Sequence, residues 1–208
     1  MKSTLYKLIE FFVIFILIPV SYAIPYSWQL KLTVGLLGFL YVIYILLKVE
    51  KNKFKLAPNL NWRLFWERTA LKFLVLAILT TLFVRFSEKA NLFEVFENKP
   101  RLWFVMVLIY TVFSVYPQEL IYRTLYFQRY ESLFKNKLLF IVLNAIVFSM
   151  AHLFFRNTLV HILTFIGGII FALTYNKTRS TVMVSIEHAI YGCWLFTVGM
   201  GSMLGFPS

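Results

Sequence analysis

Apolar runs close to twenty residues long recur along almost the whole of this 208-residue chain, and no other feature limits its fold so strongly. Crossing about 30 Å of hydrocarbon takes roughly 20 helical residues, so such runs predict membrane-spanning helices rather than the core of a soluble domain. A composition that is 60% hydrophobic and only 14% charged agrees. The expected fold class is all-α: a polytopic transmembrane bundle of about seven spans with polar groups embedded in it. The spans are predicted from about Phe11 to Ile24, Leu32 to Leu47 and Leu71 to Phe86, then from Leu102 onward, Leu138 to Phe155, Leu159 to Tyr175 and Thr181 to Met200. Glu10 and Pro19 interrupt the first run, which follows Lys2 and Lys7. Ser21-Tyr22-Ala23 resembles a signal-peptidase site, so cleavage is the alternative to a first helix.

The formal charge of +12 sits between the apolar runs. Lys48, Lys51, Lys53, Lys55, Arg63 and Arg68 form a basic connector, and Lys135, Lys137, Lys177 and Arg179 lie in short turns. The positive-inside rule accounts for this pattern with the amino terminus inside and the carboxyl terminus outside, and no nucleic-acid partner is expected. Trp62 and Trp66 are expected at a headgroup interface, and a mixed-charge loop carries Glu88, Glu94, Glu97, Lys99 and Arg101. The single cysteine, Cys193, excludes an internal disulfide framework and any multi-cysteine metal site. All nine acidic residues are glutamates, which removes the aspartyl intramembrane proteases and the Ser-His-Asp triad.

An ionisable side chain inside a span costs several kcal/mol unless it pairs or meets water, which makes each one a functional candidate. They are Glu119, Arg123, His152, His161, Glu187 and His188. Glu119 and Arg123 are four residues apart, within ion-pair reach on one helical face, and a structural salt bridge is the simpler reading of that pair alone. His161 is expected only to hydrogen-bond a neighbouring helix. Asn144, Phe148 and His152 follow at intervals of four on a span that is otherwise apolar. Together a carboxylate and imidazoles on different helices supply what peptide hydrolysis needs: a base for water, groups to orient it and donors for an oxyanion. The zinc helix H-E-x-x-H and the serine motif G-x-S-G are both absent, and Glu187-His188 has no second histidine at zinc-helix spacing.

Three short motifs follow in order: Gln118-Glu119-Leu120-Ile121-Tyr122-Arg123, Phe148-Ser149-Met150-Ala151-His152, and His188-Ala189-Ile190-Tyr191-Gly192. They resemble the E-E-x-x-x-R, F-x-x-x-H and H-x-x-x-N/D motifs of the CAAX protease and bacteriocin-processing (CPBP, Abi-type) intramembrane peptidases. The resemblance divides the chain into N-terminal helices and connector (1–101), a CAAX-protease-like core (102–200) and a tail (201–208). It implies an intramembrane endopeptidase with Glu119, Arg123, His152 and His188 as catalytic residues, and Gln118, Phe148, Glu187 and Gly192 in support. The implied partners are a membrane-associated protein or peptide and the lipid bilayer, and the implied location is the bacterial plasma (inner) membrane. No cofactor is assigned, although Glu119, His152 and His188 could form a three-ligand zinc site.

Two positions depart from the family pattern. Gln118 stands where the family has the glutamate that activates water, and an amide is no general base. Gly192 stands where the family has a polar side chain. These departures motivate a second reading, a catalytically inactive relative serving as a bacteriocin immunity factor or scaffold. A third, a proton-coupled transporter, would more often show repeated halves or paired discontinuous helices. Straight perpendicular helices would put Glu119 near the inner side of its span and His152 about 20 Å along its own, keeping the two apart.

Overall fold

A computed structural model of the chain describes residues 3–53, 60–87 and 92–205. Lys2, Lys55, Glu88 and the end of the tail at 206–208 lie outside the described residues. Among the described residues every regular element is helical. In chain order the main helices are α1 (Thr4–Tyr22), α2 (Trp28–Val49), α3 (Trp62–Ser87), α4 (Pro100–Leu133), α5 (Lys137–Phe155), α6 (Thr158–Thr178) and α7 (Thr181–Thr197). A short helix, Glu94–Asn98, precedes α4. The first six are long and apolar enough to cross a membrane, while α7 has 17 residues.

The helices begin earlier than the apolar runs because polar residues cap them. Side-chain oxygens of Ser3, Ser27, Asn61, Asn136 and Asn157 accept backbone N–H bonds from Tyr6, Leu30, Leu64, Leu139 and Leu159, satisfying donors that the first helical turn leaves open. The Asn61 cap corrects the basic connector. Trp62, Arg63, Trp66 and Arg68 lie in the opening turns of α3, where Arg63 pairs with Glu67 at 2.9 Å.

Two prolines lie inside helices without ending them. A proline ring collides with the carbonyl four residues earlier, and a π-helical turn relieves that crowding. One such turn, Val13–Leu17, contains Phe15, four before Pro19; another, Tyr110–Val115, contains Phe113, four before Pro117. A further π-helical turn, Leu120–Leu125, follows the single α-helical turn Tyr116–Glu119.

The chain forms two compact units. The first comprises Met1–Leu56 and Gln118–Thr181, the second Ala57–Pro117 and Val182–Ser208. In the first unit Glu10 is no interruption but an anchor. Its buried carboxylate accepts from Arg129 Nε at 2.6 Å and from the hydroxyls of Tyr130 and Tyr41, each at 2.7 Å. Arg129 also pairs with Glu50 at 2.8 Å, and its carbonyl accepts from Lys7 Nζ at 3.0 Å. Phe15 of α1 packs edge-on against Tyr122, Tyr126 and Tyr130 of α4. The segment considered for cleavage is therefore tied into this unit by charge, hydrogen bonds and aromatic contact.

Helices α5 and α6 approach closely at Gly168, where a Cβ would lie 2.9 Å from Ala145 Cα and 3.2 Å from its carbonyl oxygen. Small residues at such crossings are how lipid-embedded helices gain contact without a hydrophobic driving force. After α6 the chain turns through Arg179 in the left-handed region (φ 50°), and the Arg179 guanidinium bonds Glu131 at 2.7 and 2.8 Å. Those bonds hold the Arg179 pKa above its ordinary value.

In the second unit Trp194 Nε1 donates to Thr80 Oγ1 and Trp103 Nε1 to Thr197 Oγ1, both at 2.9 Å. These bonds tie α7 to α3 and to the first half of α4 while satisfying two indole donors.

Replacing Glu10 with Ala should lower the stability of the detergent-solubilised protein by about 3–5 kcal/mol, because it leaves the buried guanidinium without its closest counter-charge. Gly168→Ala should cost about 1–3 kcal/mol by overpacking. Thermal unfolding of the two variants checks both values.

Candidate functional site

The motif residues fall into two groups, one in each compact unit. Gln118, Glu119, Arg123, Phe148 and His152 belong to the first, and Glu187, His188 and Gly192 to the second.

In the first group Glu119 and Arg123 are both fully buried, and Arg123 Nε lies 3.5 Å from Glu119 Oε2. The i,i+4 pair read from the sequence is thus formed. Arg123 also donates to the carbonyls of Tyr122 at 3.2 Å and Gly168 at 3.5 Å. Its guanidinium lies 4.6 Å from the centre of the Phe148 ring and 5.8 Å from that of Phe171, an arrangement favourable to a cation in a desolvated site. Asn144 Nδ2 donates to the Tyr122 carbonyl at 2.6 Å, so that carbonyl takes a bond from each of the two motif-bearing helices.

The α-helical part of α5 ends at Met150, and His152 sits in the turn beyond it. This corrects the placement of His152 within a continuous helix. His152 Nδ1 lies 2.9 Å from the Phe148 carbonyl oxygen, which can only accept, so the proton of a neutral ring is on Nδ1 and Nε2 presents a lone pair. The same bond satisfies a carbonyl that the helix end leaves open. The His152 ring lies 5.1 Å from that of Phe148, which makes Phe148 the bridge between Arg123 and His152.

Helices α4 and α5 meet along this stretch, Arg123 lying over the Phe148 ring and Asn144 bonding the Tyr122 carbonyl. Helix α4 runs on to Leu133 and joins α5 by a turn of three residues. Glu119 precedes Leu133 by 14 residues and His152 follows Lys137 by 15. His161 takes part through its backbone, its carbonyl accepting from Ser149 Oγ at 3.0 Å.

In the second group Glu187 is fully buried and pairs with Lys72 of α3. Its Oε1 also accepts from the Tyr191 hydroxyl at 2.9 Å, and that hydroxyl lies 3.2 Å from the Thr69 carbonyl. Glu187 therefore holds α3 against α7. His188 is 7% exposed, and its Nε2 lies 3.1 Å from the hydroxyl of Tyr110. A Cβ at Gly192 would collide with the Tyr110 ring and hydroxyl. Sequence reasoning missed Lys72 and Tyr110, whose partners lie 115 and 78 residues away at no helical spacing. Among the described residues no group of three or more His, Cys, Asp or Glu gathers as a metal site.

Six apolar helices with charges paired inside them define a multi-pass membrane protein. Residues 100–194, the stretch that carries all three motifs, match the family model described as Rce1-like, type II CAAX prenyl endopeptidase. The likeness falls on the stretch whose motifs resemble that family. Comparison with curated proteins and with solved structures finds no match.

Arg123→Met should destabilise the protein by about 3–5 kcal/mol, because it strands a buried carboxylate. Adding Glu119→Gln to that variant should recover part of the loss, and thermal unfolding of the single and double variants measures the coupling.

Proposed function

We propose that the chain is an intramembrane endopeptidase of the bacterial plasma membrane that hydrolyses a peptide bond of a membrane-associated protein or peptide near the membrane face. The observation that carries this reading is the run of contacts Glu119–Arg123–Phe148–His152, which joins the first two motifs inside the family-matched stretch.

In this reading Glu119 accepts a proton from water as the water oxygen attacks the scissile carbonyl carbon. Arg123 holds the carboxylate in place from the next helical turn. His152, by its place in the second motif, orients the water. His188, by its place in the third motif, stabilises the negative charge that develops on the carbonyl oxygen. Collapse of the tetrahedral intermediate breaks the C–N bond, and Glu119 returns the proton to the departing amine.

The test is cleavage of membrane-tethered and prenylated C-terminal peptides by the protein purified in detergent. Glu119→Gln should lower the rate by about 100-fold or more, within the range for loss of a general base. Unimpaired cleavage in Glu119→Gln would remove Glu119 from that role. Cleavage seen only in Gln118→Glu would identify the natural chain as an inactive relative, and loss of activity on chelation would bring in a metal.

A further inference from the structure

The third motif lacks its polar residue at position 192, and the structure puts a different polar group beside its histidine. His188, Gly192 and Phe196 follow one another at intervals of four and share one face of α7. Tyr110 of α4 touches that face at all three places. Its hydroxyl is 3.1 Å from His188 Nε2, its ring occupies the space over Gly192, and the ring meets Phe196 edge-on with centroids 4.7 Å apart. Any side chain at 192 would strike the Tyr110 ring, so glycine and tyrosine form a size-matched pair.

The backbone is adapted at the same point. Tyr110 opens the π-helical turn that precedes Pro117, and such widened turns redirect side chains out of the regular α-helical register. A phenol in an apolar setting keeps its hydroxyl only at the cost of finding a hydrogen-bond partner, and the partner here is the motif histidine.

We infer that Tyr110 is the positioning residue for His188, its hydroxyl standing in for the Asn or Asp side chain that the family carries at the position of Gly192. The hydrogen bond to Nε2 fixes the orientation of the imidazole, and Gly192 is the space that the tyrosine ring requires. The inference rests on the hydrolytic reading above. Under it the missing polar residue is a relocated function rather than a lost one.

The experiment compares Tyr110→Phe, Gly192→Asn, Tyr110→Ala and the double variant Tyr110→Ala/Gly192→Asn. Tyr110→Phe keeps the ring and removes only the hydroxyl, so it retains the packing on Gly192 and Phe196. Its kcat should fall by about 10- to 100-fold with little change in KM, the range for partners that orient a histidine from behind. Gly192→Asn alone should be impaired, because its side chain meets the ring. Tyr110→Ala/Gly192→Asn should be more active than either of its parent single variants, since removing the ring makes room for the amide.

A readout independent of turnover is the ¹⁵N spectrum of the imidazoles. The chain has three histidines, and His188→Gln identifies the His188 signals. Tyr110→Phe should move the His188 ring nitrogens and leave those of His152 and His161 in place. A wild-type protein that cleaves peptides and a Tyr110→Phe variant that matches it in kcat would overturn the role of Tyr110 alone. Unmoved His188 nitrogens would do the same. A wild-type protein that cleaves none of the peptides would overturn the hydrolytic reading itself, and the proposed role of Tyr110 with it.

Discussion

A charge that cannot reach water must find its counter-charge inside the protein, and this requirement organises the described structure more than any other. Arg129 is met by Glu10 and Glu50, Arg123 by Glu119, and Lys72 by Glu187. The Arg129 and Lys72 pairs also join parts of the chain that apolar packing alone would leave free to slide. Hydrocarbon side chains give lipid and protein nearly equal contact, so polar pairs and close small-residue crossings decide which helix lies against which. Glu10 and Arg129, 119 residues apart, bind α1 to the end of α4. Glu187 and Lys72 bind α7 to α3.

Much of the helix order was legible in the sequence because a 20-residue apolar run has few other uses. The limits of the helices were less so: hydropathy stops where the side chains become polar, whereas the backbone continues to a cap such as Asn61 or Asn136. Glu119 and Arg123 were readable as a pair because helical spacing alone brings them together. Lys72 and Tyr110 were not, since only the folded chain sets them beside Glu187 and His188.

The family match over residues 100–194 gives these contacts a chemical context. Arg123 serves the fold by neutralising Glu119, and it would serve a reaction by fixing the carboxylate in one orientation. The bond from His152 to the Phe148 carbonyl likewise finishes a helix while selecting a tautomer. In so small a chain the same bonds that satisfy buried polar groups are the ones available to prepare a site.

Helices α4 and α5 act as two arms of a ruler whose zero is the turn between Leu133 and Lys137. Lengthening that turn leaves the spacing within each arm intact. Adding one residue to either arm between the turn and its motif rotates the outer part of that arm by about 100° and advances it by about 1.5 Å. Length variation in this chain is therefore tolerable at the turn and intolerable within the arms, and a relative aligned by its motifs should carry its insertions in the former.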